Sequence, residues 1–375
     1  MIDSLDLTKT IFDEINISND LVMDFDGSAY SARDYMKKYY NGMRRQFERG
    51  VLPKAYEHPT GAQLELTYRC NQKCRHCYNQ SGGDNSNNPS LSLEDWKRIA
   101  HELGELGIFQ CVISGGEPTL MGEGLFEIMD ILHSYNVKFI IITNGMLIDK
   151  EKINRLKKYK YSWFQVSIDG SRPELHDYVR GVESWEKAVN AANLVVEAGL
   201  PLVIAHAVVK KNLDYLEEMI DMAYLLGAVK ITTGPFSYMG RAVLNSDELE
   251  LTEDEKKKVY EISNKKAAEY KGRLQVGISS EEAISLRMKL IEPNGVMLIR
   301  PNGDVKFDCV APFKIGNVLT EDIQDIWDKV GKNVWSNPRM VEYVNSIKSS
   351  RDLLTVKPRI NVDEDELLKP FERSL

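Results

Sequence analysis

Five cysteines occur in this chain of 375 residues, and three of them, Cys70, Cys74 and Cys77, stand close together in the spacing C-x3-C-x2-C. They follow a run in which Leu64, Leu66 and Tyr68 alternate with Glu65 and Thr67, the period-two pattern of a short strand. Three thiolates on one loop after a strand offer three soft anionic ligands, enough for three irons of a cubane cluster. The fourth iron of a four-iron cluster would have no protein ligand and would be open to a second molecule. Tyr78 comes directly after the third cysteine and sets an aromatic face beside that open corner. The competing chemistry is a zinc knuckle made of the three cysteines and His76. Structural zinc usually takes its ligands in two pairs from separate turns, and no second C-x2-C or H-x3-H follows at a suitable distance.

This spacing, followed by an aromatic residue, resembles the cluster loop of the radical S-adenosylmethionine (radical SAM) enzymes. The resemblance implies that Cys70, Cys74 and Cys77 hold one [4Fe-4S] cluster, with the amino and carboxylate groups of SAM on the open iron and Tyr78 beside it. It extends to further strand ends. Ser114-Gly115-Gly116-Glu117-Pro118 pairs glycines that let backbone approach a ligand with one fixed anion. The stretch resembles the family's GGEP motif, which implies that Glu117 hydrogen-bonds the amino group of SAM. Thr143-Asn144-Gly145 offers short polar side chains that can bind ligand. Ser167-Ile168-Asp169-Gly170, with His176, Asp177 and Arg180-Gly181 after it, resembles the family's S-x-D-G…H-D-x-x-R-G stretch. By that match Ser167 and Asp169 lie near the ribose or methionine portion of SAM. Arg180 pairs with its carboxylate, a task for a planar bidentate donor. The plainer readings are a helix N-cap for Asp169 and a surface ion pair for Arg180. His206, between apolar neighbours, reads as a core histidine. GPFSYMGRA, with Gly234, Pro235 and Gly240-Arg241, resembles a loop common in the peptide-maturing branch.

The elements that must carry these motifs alternate. Strand-like runs fall at 63–68, 108–114, 137–143, 163–169, 202–209 and 228–233, with helical stretches at about 92–106, 123–135, 149–158, 185–198 and 213–226. Repeated strand–helix units imply parallel strands with right-handed crossovers, and sites at their carboxyl ends. The expected fold class is α/β: a partial (β/α)6 radical SAM barrel with an N-terminal cap and a small α+β C-terminal extension. The expected divisions are 1–60 for the cap, 61–245 for the barrel core, 246–350 for the extension and 351–375 for a charged, loosely ordered tail. Within the cap, a strand is expected at 22–25, turning at Asp26-Gly27, and a helix from Ser31 to about Glu48. In the extension, Thr252 and Glu255 form a capping box, and 296–305 reads as two strands turning at Asn302-Gly303.

Residues 296–327 resemble the SPASM/Twitch extension of radical SAM enzymes, which carries auxiliary clusters. Here only Cys309 is present in it, and a lone cysteine cannot hold a conventional cluster. The scaffold is read as retained and the auxiliary cluster as mostly or wholly lost. Cys309 is then an inert packed thiol, a single ligand or a hydrogen-atom donor to a substrate radical. Cys111, between apolar neighbours of the second strand, reads as a buried structural thiol.

With 48 basic and 56 acidic residues the formal charge is −8, a poor basis for nucleic-acid binding through phosphates. No apolar segment approaches membrane-spanning length and no signal peptide opens the chain, so a cytoplasmic location is expected and no membrane partner. The resemblance implies reductive cleavage of SAM to a 5′-deoxyadenosyl radical that abstracts hydrogen from a substrate carbon. It also implies a reductant such as a flavodoxin or ferredoxin. The expected substrate is a ribosomally made peptide, cross-linked, thioether-bridged or epimerised. The alternatives are a sugar or other small molecule undergoing dehydrogenation or epimerisation, and a non-catalytic zinc or iron–sulfur module.

Overall fold

The computed structural model describes Leu21–Met23, Ala29–Ser31 and residues 55–371 apart from 182, 280, 281 and 291. The helix expected from Ser31 to about Glu48 lies outside the described residues. The strand expected at 22–25 appears as β1 (Leu21–Met23), antiparallel to β2 (Ala29–Ser31), with Val22 opposite Tyr30.

The six expected strands form in the expected order: β3 (Gly61–Glu65), β4 (Gln110–Ser114), β5 (Lys138–Thr143), β6 (Tyr161–Ser167), β7 (Leu202–Val208) and β8 (Lys230–Pro235). Each pairs parallel with the next, from Leu64 opposite Ile113 to Ile204 opposite Ile231. Near-continuous apolar runs such as Phe139–Thr143 suit strands covered on both faces, as parallel strands are. The parallel array is longer than expected. β9 (Gln275–Ile278) pairs parallel with β8, and β10 (Val296–Ile299) pairs parallel with β3. Eight parallel strands therefore run side by side, in the order β10-β3-β4-β5-β6-β7-β8-β9. Both added strands have only four residues, too short for their apolar pattern to separate them from the extension around them. The extension is thus built onto the sheet. β11 (Asp304–Lys306) turns back on β10 through Asn302-Gly303, where Gly303 has φ +86°, and β13 (Gly316–Asn317) pairs with β11. Between them, β12 (Phe313–Lys314) lies off the main sheet.

The helices between strands match the apolar periods: Leu93–Glu105, Glu123–Ser134, Lys150–Leu156, Trp185–Glu197 and Leu216–Leu225. The first is opened by a capping box of Ser92 and Asp95, and its Trp96, fully buried, donates from Nε1 to the Leu66 carbonyl at 3.1 Å. That bond fixes the chain just before the cysteine loop. An eight-residue addition to the pattern, the helix Pro173–Arg180, was not expected. It spans about two turns, and with Leu175, His176 and Val179 as its buried side it has too few apolar positions to show a period. The capping box of Thr252 and Glu255 opens the helix Glu253–Glu269 as expected.

The expected loosely ordered tail is instead packed against the molecule. β14 (Glu366–Leu367) pairs parallel with β12. Asp363 accepts from Arg300 Nη2 at 2.9 Å and from the Tyr68 hydroxyl at 2.9 Å. Asp365 accepts from Arg359 Nη2 at 2.7 Å and pairs with Lys306, and all three of these side chains are buried. The charges that suggested a solvated tail are the partners of cations inside the fold.

Candidate active site

The cysteine loop leaves the carboxyl end of β3 and is held from two sides. On one side stands the turn after β4. The Gly116 amide donates to the Thr67 carbonyl at 2.6 Å and the Glu117 amide to the Arg69 carbonyl at 2.9 Å. A Cβ on Gly116 would lie 2.1 Å from the Arg69 oxygen, and Gly115, at φ +128°, would meet Leu66 N at 2.9 Å. The glycine pair therefore lets this turn press on the backbone that leads into Cys70. On the other side stands the loop after β8. The Arg241 amide donates to the Cys77 carbonyl at 2.8 Å, while its guanidinium donates to the carbonyls of Cys74 at 3.0 Å and Ser81 at 2.5 Å. Gly240, at φ +56°, brings its backbone so close that a Cβ would lie 2.2 Å from the Tyr78 oxygen.

The three thiols share one neighbourhood: Cys70, Cys74 and Cys77 each act electrostatically on their neighbours in the loop. Burial pushes Cys70 up to about 11 and Cys74 up to about 12. Side-chain nitrogens face their sulfurs. Asn144 Nδ2 lies 3.7 Å from Cys70 Sγ and Arg180 Nη1 lies 3.9 Å from Cys74 Sγ. The thiol of Cys74 faces Gln72 Oε1 at 3.6 Å, and that of Cys77 faces Asn79 Oδ1 at 3.1 Å.

Asp169, just past the end of β6, is a fully buried hub. It accepts from the Ala207 amide at 2.7 Å, and its Oδ2 lies 2.6 Å from Arg180 Nε and 3.3 Å from His76 Nε2. Burial opposes its charge, but Arg180 and then His76 hold the carboxyl well below the usual carboxylate range. Asp169 is thus no helix N-cap, and Arg180 is no surface ion pair; the two form a buried pair beside the cysteine loop. His76, in the middle of that loop, is turned to Asp169 and away from a zinc role. Among the described residues no three His, Cys, Asp or Glu side chains close on a point as the ligands of one ion do. His206 is the expected core histidine, buried, with Nδ1 2.9 Å from Thr233 Oγ1. Ser167 is buried at the end of β6.

Glu117 is fully buried and already satisfied. Its carboxylate accepts from the Thr119 amide at 3.1 Å and hydroxyl at 2.6 Å, from the Thr143 hydroxyl at 2.8 Å and from the Asn144 amide at 2.8 Å. Three of these bonds fall on Oε1 and one, from the Asn144 amide, on Oε2, so the fully engaged oxygen is Oε1. In this structure Glu117 joins the ends of β4 and β5 and so places Asn144 over Cys70.

A model of the radical SAM superfamily matches residues 64–223 of the chain. The mycofactocin maturase MftC of Mycolicibacterium smegmatis is 31% identical over 296 residues, which cover 75% of this chain and 72% of that protein. This chain is a member of the radical SAM superfamily. Its cofactors are accordingly a [4Fe-4S] cluster and S-adenosylmethionine. The PqqA peptide cyclase of Granulibacter bethesdensis is 32% identical over 194 residues, 52% of this chain and 51% of that protein. Among solved structures, Streptococcus suis SuiB bound to the precursor peptide SuiA superposes with a TM-score of 0.61 at 17% identity, over 92% of this chain and 85% of that one. At that identity the likeness is one of fold.

For a radical SAM member, the remaining geometry concerns the far side of the cysteine loop. The Tyr78 hydroxyl donates to Glu65, and burial with the Glu65 charge raises its pKa. Glu65 in turn accepts from Arg300 Nη1 at 2.8 Å, and Arg300 continues to Asp363. Tyr78 is therefore anchored through its hydroxyl in an ionic chain. Cys309 is exposed and not the packed thiol of the plainer expectation. It nonetheless sits deep enough among charges for burial and Asp308 to push it up to about 11, and both Glu65 and Tyr78 lie near enough to couple with it. Cys111, by contrast, is fully buried in β4. Sequence reasoning gave no role to Arg241, although it quoted the glycine–arginine step that contains it. Glu65 and Arg300 were also missed: they are 235 residues apart, and no local pattern announces such a pair.

Proposed function

We propose that this radical SAM enzyme modifies a ribosomally made peptide, with Cys70, Cys74 and Cys77 as the cluster ligands. The observation that carries the substrate class is the kind of relative the chain matches at length, a mycofactocin maturase and a PqqA peptide cyclase. The fold likeness to SuiB bound to its precursor peptide agrees with it. When bound, the cluster and SAM supply the 5′-deoxyadenosyl radical that removes a substrate hydrogen.

The chain's own residues bind, orient and shield. Arg241 and Gly240 hold the cysteine loop on one side, and the glycine pair with Glu117 holds it on the other. Asn144 and Asp169 stand at the carboxyl ends of β5 and β6, and Arg180 reaches Asp169 from the end of the helix Pro173–Arg180, where the SAM side of the site belongs. Gly115, Gly116, Ser167 and Tyr78 complete that wall. Glu117 positions Asn144 through Oε2, which accepts only that amide among the described residues and so keeps room for the amino group of SAM. Arg180 and Asp169, already paired, act on SAM as one unit.

The exposed thiol of Cys309 is our candidate hydrogen donor to the substrate radical. In that step the S–H bond breaks, a C–H bond forms on the substrate, and the thiyl left behind takes one electron and one proton from the reductant and solvent. The reductant is a low-potential donor of the flavodoxin or ferredoxin kind.

The test is anaerobic incubation of the reconstituted chain with SAM, dithionite and the short peptide encoded nearest to it. A SAM-dependent change in the peptide is expected: a mass shift for a cross-link or thioether, or an inverted residue at unchanged mass, found by chiral amino-acid analysis, for epimerisation. SAM cleavage with an unaltered peptide, but with turnover of a sugar or other small molecule, would move the substrate to the second class. The Cys309→Ser variant should still form 5′-deoxyadenosine while losing the inverted product; full product from it removes Cys309 from the chemistry.

A further inference from the structure

The side-chain nitrogens around the cysteine loop have no work in the reading above that explains where they point. Hydrogen bonds to cluster sulfurs are one of the main levers on the reduction potential of an iron–sulfur centre. An N–H aimed at a thiolate stabilises the more negative, reduced state more than the oxidised one, so each such bond raises the potential. Three side chains in this structure are placed to do this. Asn144 Nδ2 lies 3.7 Å from Cys70 Sγ, and the amide is held from turning by the Met146 amide on its Oδ1 at 2.9 Å and by Asn71 on its Nδ2 at 2.7 Å. Arg180 forms an ion pair with Asp169, Nε to Oδ2 at 2.6 Å, and its Nη1 lies 3.9 Å from Cys74 Sγ. Gln72 is buried, with Oε1 3.6 Å from the same sulfur and Nε2 without a hydrogen-bond partner among the described residues. While Cys74 is a thiol, its S–H donates to Oε1. Once Cys74 is a thiolate ligand it has no proton to give, and turning the amide over, which leaves its shape unchanged, offers Nε2–H to the sulfur.

We propose that Gln72, Asn144 and Arg180 are N–H donors to the sulfurs of Cys70 and Cys74 and raise the reduction potential of the cluster. The proposal rests on the assignment of these cysteines as ligands. It makes the three residues positioning and tuning groups that decide how readily the chain accepts its electron.

The test is a redox titration of the anaerobically reconstituted protein, followed by visible absorbance and by the electron paramagnetic resonance of the reduced cluster. Iron and sulfide are counted in every sample. Gln72→Leu and Asn144→Ala remove donors without adding charge, and Arg180→Lys keeps the charge but loses the planar fork. Each should lower the potential. The double variant Gln72→Leu/Asn144→Ala should lower the equilibrium constant for reduction about tenfold, which for one electron is about 59 mV. Lys73→Ala, which removes an exposed cation of the same loop, should leave the potential unchanged, because water screens that charge. Potentials equal to the wild type in fully loaded donor variants overturn the proposal. So does a shift in Lys73→Ala as large as theirs, which would make net charge the cause. If Arg180→Lys fails to load, Gln72→Leu decides the matter alone. A wild-type chain that holds no four-iron cluster overturns the ligand assignment, and the donors with it.

Discussion

At the scale of single residues, the buried charges and dipoles around the cysteine loop decide what can be tested first. Glu117→Ala strips acceptors from the Asn144 amide and from the hydroxyls of Thr119 and Thr143. Leaving buried donors unsatisfied costs about 1–3 kcal/mol, so its urea midpoint should fall by a corresponding amount even without cofactors. An unchanged midpoint would mean that these bonds add nothing to the stability of the fold. His176 and His206 give a pH dependence. Burial lowers both to about 4, whereas an unfolded histidine titrates near 6.5. Between those values the unfolded chain binds more protons than the folded one. Stability is therefore fully present above about pH 6.5 and is lost as the pH falls toward the folded values. Between pH 7 and 5 the loss should be ~2 kcal/mol per histidine in the cofactor-free chain, measured by urea unfolding at each pH. Replacing His206 by Gln should flatten part of that slope. The residue types that do chemistry were legible in the sequence, because spacing along one loop is a local property. Their pairings were not. Asp169 with Arg180 and His76 is a contact between strand end, helix end and loop, and no one-dimensional pattern distinguishes it from an N-cap and a surface pair.

At the scale of elements, the six strands and five of the helices could be read from apolar period alone. β9 could not, because four residues carry too little pattern, and although β10 was read as a strand, its place beside β3 depends on neighbours far along the chain. The loop after β8 is the element with the most specific consequence. Gly240→Ala places a Cβ 2.2 Å from the Tyr78 oxygen at a φ of +56°, so either the cysteine loop or the loop after β8 must move. Arg241→Ala deletes the guanidinium bonds to the carbonyls of Cys74 and Ser81. Each change should lower the iron retained per chain after reconstitution, Gly240→Ala the more severely, while the far-ultraviolet circular dichroism stays that of the wild type. Full iron retention in both would show that the cysteine loop keeps its shape without this clamp.

At the scale of the whole molecule, the extension and the tail are parts of the structure that frames the site. Asp365 pairs with both Lys306 and Arg359, and all three are buried. Removing it by Asp365→Ala leaves two cations facing each other without an anion, and breaking such a pair costs about 3–5 kcal/mol. The thermal midpoint should drop by several degrees or more; a drop too small to measure would place these charges in water. The charges of residues 351–375 pointed to a loosely ordered tail because composition records charge and not its partner. Among the described residues no helix is long and apolar enough to cross a membrane. The central claim is that this member of the radical SAM superfamily works through a single cluster held by Cys70, Cys74 and Cys77. The measurement that meets it most directly is iron content and 5′-deoxyadenosine formation, after anaerobic reconstitution with dithionite and SAM. Wild type and the triple variant Cys70→Ala/Cys74→Ala/Cys77→Ala are compared side by side. The account predicts about four irons per wild-type chain, with 5′-deoxyadenosine released, and neither iron nor product from the triple variant. Four irons retained by the triple variant, or a wild-type chain that binds zinc in preference and never cleaves SAM, would contradict it.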